Sequence, residues 1–391
     1  MVPSRIRGVP GMLIDVTQLL RRRDKGPAPR GIDRVSLEYI RRYAAQARAV
    51  LSLGPFAGAL SRADSLRVFE WLLQPVSPFE SAGLVLKSML SGWIRPRTGD
   101  SFLLNLEYLW YSTALYAAQL RLLGARPVFF VHDLIPLTHP ELCPAEDARR
   151  AHGQIRDVLR IARGIVVNSR DTELVLKQYA ERAGLAVPPV AVAPLAPALG
   201  RADSPGPWPD DGPYFVVVGT IEPRKNQAFL LEVWRELLAS GPRPVPKLHV
   251  VGGRGYGSAK FLKARRDSGA LQWFVVESNR CSDDEVARLL RHACALLMPT
   301  LAEGFGMPVA EALAAGVPVI ASDLPVFREF AGEIPEYADP KDAKRWAELV
   351  LDYARPDGAR RAAQLERMKG FRPTTWDDHF RIVERFLESL P

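Results

Sequence analysis

At 391 residues the chain is long enough for two domains of roughly 150–200 residues, and 47% hydrophobic with 25% charged residues is an ordinary soluble composition. No apolar run approaches the ~18 residues of a membrane span, the N-terminus lacks the apolar core of a signal peptide, and Cys143, Cys281 and Cys294 have no Cys-x-x-Cys spacing, which excludes a disulfide framework or zinc site and suits a reducing cytoplasm. The net charge of +8 resides in the first half, where residues 1–200 carry 26 Lys and Arg against 17 Asp and Glu while residues 201–391 carry 26 against 27; a polyanionic partner (an anionic membrane surface, a nucleic acid or a phosphate-bearing substrate) is expected there, with a merely solubilising basic face as the alternative.

In chain order, short runs dense in Val, Ile, Leu and Phe predict strands at 12–16, 101–106, 127–132, 164–168 and 190–193. A second series falls at 214–219, 247–252, 271–276, 294–299 and 317–322. The runs are continuously apolar, as parallel strands covered by helices on both faces require. Two such series, each strand followed by an amphipathic stretch, predict two doubly wound α/β domains. The first spans 1–195, a proline-rich connector 196–213, and the second 214–372. Trp376, Phe380, Val383 and Leu387 then mark one buried stripe of a terminal helix within 373–391. The stretch 68–97 breaks the pattern: Trp71, Phe79 and Trp93 stand beside Lys87, Arg95 and Arg97. It reads equally as a membrane-interface segment and as a core helix with snorkelling cations.

Candidate site residues cluster where strands end. In RGIDRV (30–35), Gly31 and Arg34 open a helix after a basic loop. His132 ends the run PVFFVH, although a histidine there is commonly a satisfied core residue. In GTIEPRKN (219–226), Gly219 ends a strand and Asn226 is a good N-cap, which puts Arg224 and Lys225 at the carboxyl edge of a parallel sheet, where doubly wound folds bind ligands. In AEGFGMPVAEALAAG (302–316), Pro308 and Gly316 bracket a helix over 308–315. Gly304 and Gly306 turn the chain ahead of it, so backbone amides and the helix N-terminus converge on a place for an anion. Glu311, about one turn inside, is placed to accept from hydroxyls beyond that anion, as a ribose offers. The glycine-rich GGRGYG (252–257) lacks G-x-G-x-x-G spacing, which argues against a nicotinamide enzyme.

Glu303-x7-Glu311 within EGFGMPVAEALAAGVPVIAS, together with GTIEPRKN, DDEVARLLRHACALLMPT (283–300) and VHD (131–133), resembles the retaining GT-B glycosyltransferases of family 4. The resemblance covers most of residues 120–335. It implies two Rossmann-like domains facing a cleft, with the C-terminal helix returning to the N-terminal domain and the connector as hinge. It places Lys225 and Arg224 on the donor diphosphate beside Gly219 and Thr220, the latter standing where many relatives carry arginine. Gly304, Phe305, Gly306 and Met307 line the donor, Glu303 holds sugar hydroxyls, Glu311 holds the ribose, and His132 faces the reacting sugar. Gly31 and Arg34 belong to the loop that acceptor and donor phosphate approach. The implied reaction retains configuration without a covalent intermediate and needs no cofactor and no metal, in keeping with the absence of an Asp-x-Asp element. The expected activity moves a hexose, mannose from GDP-mannose, to a lipid-linked or saccharide acceptor in surface polysaccharide synthesis. It would take place at the inner face of the cytoplasmic membrane, with no nucleic acid involved. The alternatives are another GT-B sugar-nucleotide enzyme, such as an epimerase or a phosphorylase, and a non-catalytic module that binds sugar nucleotide.

Overall fold

The computed structural model describes residues 11–23, 31–53, 56–74, 101–107, 113–198, 212–240, 244–279 and 281–391. The basic loop ahead of Gly31, most of the 68–97 stretch and the middle of the connector lie outside them. The chain divides into two compact units: Met1–Leu134 with Arg149–Leu195 and Trp376–Pro391, and Ile135–Ala148 with Ala196–Thr375.

The first unit is built on a seven-stranded sheet in the order β3-β2-β1-β4-β5-β6-β7. Its strands are β1 (Met12–Asp15), β2 (Ala47–Leu53), β3 (Phe56–Ala59), β4 (Phe102–Asn105), β5 (Arg126–Val131), β6 (Gly164–Val167) and β7 (Val190–Val192). All neighbours are parallel except β2 and β3. The five expected strands are present, and their continuous apolar runs follow from burial along β4 and β6 on both faces. Strands β2 and β3 were not expected. Arg48 interrupts the apolar run of β2, and its guanidinium is satisfied by the carbonyls of Leu60 (2.7 Å) and Ala59 (3.0 Å); β3 is a short antiparallel edge around Gly58.

The second unit carries β8 (Tyr214–Val218), β9 (Lys247–Val251), β10 (Val275–Ser278), β11 (Leu296–Met298), β12 (Val319–Ala321) and β13 (Glu336–Tyr337). They form a parallel sheet in the order β10-β9-β8-β11-β12-β13. The strand expected over 271–276 is corrected. Leu271–Phe274 form a helical turn, closed by Val275 N–H on the Leu271 carbonyl, and the strand begins only at Val275. Trp273 is 79% exposed, so the run is not covered on both faces as a buried parallel strand would be. In each sheet the chain order reverses once, between β1 and β4 and between β8 and β11. Open α/β sheets bind ligands outside the carboxyl ends of the strands at such a reversal.

The terminal helix Trp376–Ser389 packs within the first unit through Phe380, Val383 and Leu387, as the stripe implies. The buried residue that pattern did not reveal is His379. Its Nδ1 donates to the Pro194 carbonyl at 3.0 Å, so Nε2 accepts from the Tyr39 hydroxyl at 2.9 Å. Burial pushes this imidazole down to about 4, which keeps it neutral and matches that bonding.

Candidate functional site

The loops leaving β8 and β11 lie side by side at the reversal of the second sheet. The first passes through a 3-10 turn, Pro223–Lys225, and ends on Asn226 in a left-handed conformation (φ 56°). Asn226 is not the side-chain N-cap its position suggests: its Nδ2 donates to the carbonyls of Pro299 and Pro340, each at 3.2 Å. The Arg224 carbonyl accepts from Leu301 N–H at 2.8 Å, which ties the two loops together.

Between them sits a buried ion cluster. The Glu303 carboxylate accepts from Lys225 Nζ and from Arg224 Nη1 (2.9 Å), with Thr300 Oγ1 at 3.0 Å. Arg224 also donates to the Ala302 carbonyl (3.0 Å) and to Glu222 (2.8 Å). Burial alone would raise the Glu303 carboxyl, but Lys225 and Arg224 outweigh it and hold the group below its ordinary range. Burial pulls the Lys225 ammonium down, and the Glu303 carboxylate opposes that pull. Thr300, which the sequence reading did not single out, completes this carboxylate's partners.

The glycine-rich turn after β9 supports the same loop. A Cβ on Gly252 (φ 153°) would stand 2.0 Å from the Gly219 carbonyl oxygen, so the backbones of the two turns touch. Gly219 (φ 143°) faces the Lys225 side chain, and the Thr220 carbonyl accepts from Gln227 Nε2 at 2.9 Å. Gly252, Gly255 and Gly257 therefore serve close packing against the 219–223 loop.

The helix Met307–Ala314 starts one residue before the expected position and follows Gly306, whose φ is 94°. The first N–H groups of a helix have no partner within it, so this start is a place for an anion. Phe305 is buried and its ring stacks on Phe330 at 4.9 Å, anchoring the turn. Gly304 lies between Glu303 and Phe305 in the same turn. Glu311 is 3% exposed, and its Oε1 is 3.4 Å from the Ala198 N–H. A Cβ on Gly306 would meet Phe327 Cε1 at 2.3 Å in a conformation that disfavours any side chain. Gly306→Ala is therefore expected to destabilise the second unit by about 1–3 kcal/mol. Chemical denaturation monitored by fluorescence checks this, and an unchanged midpoint would mean that the turn relaxes freely.

In the first unit, His132 follows β5 as expected and is buried. Its Nε2 donates to the Leu106 carbonyl at 2.8 Å, and burial lowers its pKa, which favours the neutral ring. Gly31 opens the helix Gly31–Tyr43 and Arg34 is half-buried within it. The residue of that motif that reaches the sheet reversal is Asp33. Its carboxylate meets Arg22 Nε at 2.6 Å, and Arg22 Nη2 lies 2.6 Å from Glu107. Asp15, at the end of β1, accepts from Thr17 and from the Tyr116 hydroxyl (2.9 Å), and Asn105 Nδ2 donates to that hydroxyl at 2.9 Å. The sequence reading missed this network. The signal was a polar or acidic residue closing an apolar run: Asp15 in MLID, and Asn105 with Glu107 in FLLNLE. Among the described residues no three His, Cys, Asp or Glu side chains group to hold a metal ion, and no helix is long and apolar enough to cross a membrane.

Two doubly wound units, the second with an ion-paired loop pair and a helix start at its sheet reversal, have the GT-B fold, and the solved structures agree. Anabaena HepE in complex with UDP and glucose superposes with a TM-score of 0.65 at 16% identity, covering 96% of this chain and 98% of that one. Sucrose-phosphate synthase from Thermosynechococcus elongatus gives 0.61 at 17% identity, covering 96% and 98%. Residues 201–364 match the family of glycosyl transferases group 1, and the fold is GT-B. The serotype-specific mannosyltransferase WbdA of Escherichia coli is 29% identical over 266 residues, 61% of this chain and 32% of that protein. The O-antigen chain mannosyltransferase RfbU of Salmonella typhimurium is 34% identical over 140 residues, 35% of this chain and 37% of that protein. The chain thus spans about a third of the length of these relatives.

Proposed function

We propose that the protein is a retaining, nucleotide-sugar-dependent glycosyltransferase. It moves mannose from GDP-mannose to a saccharide or lipid-linked acceptor in surface polysaccharide synthesis. The observation that carries the reading is the Arg224–Lys225–Glu303 cluster beside the start of the helix Met307–Ala314. Two cations and a helix N-terminus at one sheet reversal supply what a departing diphosphate needs: positive charge and fixed donors in a site of low dielectric. The mannosyltransferase names of WbdA and RfbU support the sugar.

In this reading the Glu303 carboxylate keeps Lys225 and Arg224 charged and positioned before the donor arrives, then turns to sugar hydroxyls once the diphosphate takes over the cations. Glu311 receives the ribose hydroxyls. Charge on the leaving group is met by side chains and amides, so the reaction proceeds without a divalent metal. The basic first half favours work at the inner face of the cytoplasmic membrane, where anionic headgroups attract it.

Thermal shift with GDP, UDP, dTDP and ADP, each with and without EDTA, on wild type and Glu311→Ala, tests this reading. GDP is expected to stabilise wild type regardless of EDTA, and the variant much less. Stabilisation by none of the four would overturn the donor site, and stabilisation abolished by EDTA would overturn the metal-free mechanism. Retention is checked by the anomeric configuration of the product formed from GDP-mannose.

A further inference from the structure

We propose that Arg22, clamped between Asp33 and Glu107 at the reversal of the first sheet, recognises a neutral hydroxyl of the acceptor saccharide and discriminates against a phosphate at that point. This rests on the glycosyltransferase reading above and adds a recognition residue to it.

The place is the carboxyl end of β1 and β4, where a doubly wound sheet admits ligands. Arg22 keeps 30% of its side chain exposed while Nε meets Asp33 Oδ1 and Nη2 meets Glu107 Oε1, each at 2.6 Å. Nε and Nη2 of the planar fork are thereby fixed, which holds Nη1 in one orientation. Glu107 is 7% exposed; Ser36 Oγ lies 3.4 Å from its Oε1, and its Oε2 is buried without a hydrogen-bond partner among the described residues. An unsatisfied buried oxygen is uncommon and calls for an explanation, and a donor supplied by a ligand is one.

The backbone beneath is rigid. Glu107 N–H donates to Asn105 Oδ1 (3.2 Å), and Asn105 is tied through Tyr116 to Asp15. His132 holds the neighbouring Leu106 carbonyl.

Charge decides the ligand class. Among the described residues one guanidinium faces two carboxylates directly, with Asp15 behind them, a balance that disfavours a phosphate. A sugar hydroxyl both accepts from a guanidinium N–H and donates to a carboxylate, and it brings no charge of its own. Burial pushes the Glu107 carboxyl up to about 7, against the pull of Arg22, so at neutral pH it carries part of a proton and still offers a hydrogen bond to a hydroxyl.

The test uses the full chain labelled with 15N-arginine at pH 8. The Arg22 Nε–H signal is assigned by its loss in Arg22→Lys and followed with methyl α-mannoside and with inorganic phosphate. Methyl α-mannoside is expected to shift the signal at millimolar concentration, and phosphate to leave it unmoved. Neutralising both partner carboxylates frees the guanidinium charge, so in the double variant Asp33→Asn, Glu107→Gln phosphate is expected to shift the signal at least tenfold more effectively than in wild type. A misfolded variant does not gain binding in this way. No shift with methyl α-mannoside, a shift with phosphate in wild type, or no gain of phosphate binding in the variant would overturn the proposal. Nucleotide binding, measured separately by thermal shift, reports on the second unit, so failure of the donor reading and failure of this one remain distinct.

Discussion

Lys225→Ala is expected to lower kcat for glycosyl transfer by about 10²–10³-fold, the loss typical when one preorganised group opposite developing charge is removed. Under the proposed mechanism the ammonium would stabilise the diphosphate most when the glycosidic bond has broken and the full charge has appeared, so kcat should fall more than the donor KM rises. Its leverage comes from burial: only 11% of the side chain is exposed, and a charge is screened far less there than at the surface. Lys225→Arg is not expected to rescue, because the longer planar fork must enter a space already shared with Arg224 and Glu303. Nucleotide release at saturating donor and acceptor is the measurement. A kcat within threefold of wild type would remove Lys225 from the chemistry.

The parts of this fold that were legible share one physical cause. Strands buried on both faces must be continuously apolar, so β4, β5, β8 and β9 announce themselves as runs such as FLLN and YFVVV. Where a strand is short or carries one compensated polar side chain, as Glu336–Tyr337 and Arg48 do, the local signal fades and only the sheet itself shows the pairing. LQWF failed for a different reason: Leu271 is buried and Phe274 partly so, but Gln272 and Trp273 face solvent, so the run is not covered on both faces. The donor loops were legible because a sharp turn ahead of a helix needs particular residues at particular places: Gly306 for its left-handed φ and Pro308 for the helix start. The Arg22–Asp33–Glu107 network was not, since its members are 11 and 74 residues apart in sequence and meet only when β1 and β4 become neighbours. Pairwise chemistry across such separations leaves no pattern in a window of a dozen residues. The ion cluster itself illustrates the same limit: Glu303 reads as the sugar-side acid, yet its carboxylate is held by the two cations 78 and 79 residues before it.

Glu303→Ala, in consequence, is expected to destabilise the second unit by about 3–5 kcal/mol at neutral pH, the usual cost of leaving a buried partner charge uncompensated. Trp234 and Trp346 are fully buried in that unit's core, so urea denaturation followed by tryptophan fluorescence reads it directly. The pH dependence has a definite sign. Although burial raises the Glu303 carboxyl, its two cations bring it below 4.5; its contribution is therefore complete above the unfolded value and lost as pH falls through the depressed folded one. The gap between wild type and variant should accordingly narrow in acid. A second consequence separates this residue from an ordinary buried acid. Without its carboxylate, Lys225 and Arg224 lack their shared partner, and a diphosphate would supply one. Inorganic pyrophosphate at 100 times its dissociation constant stabilises a protein by about 2.7 kcal/mol, and it should bind the variant more tightly than wild type, where Glu303 competes for the same cations. The melting temperature of the variant should thus rise more with pyrophosphate than that of wild type. Equal shifts in the two proteins would mean that the carboxylate and the diphosphate do not compete for the same cations, and the assignment of Lys225 and Arg224 to the leaving group would fall.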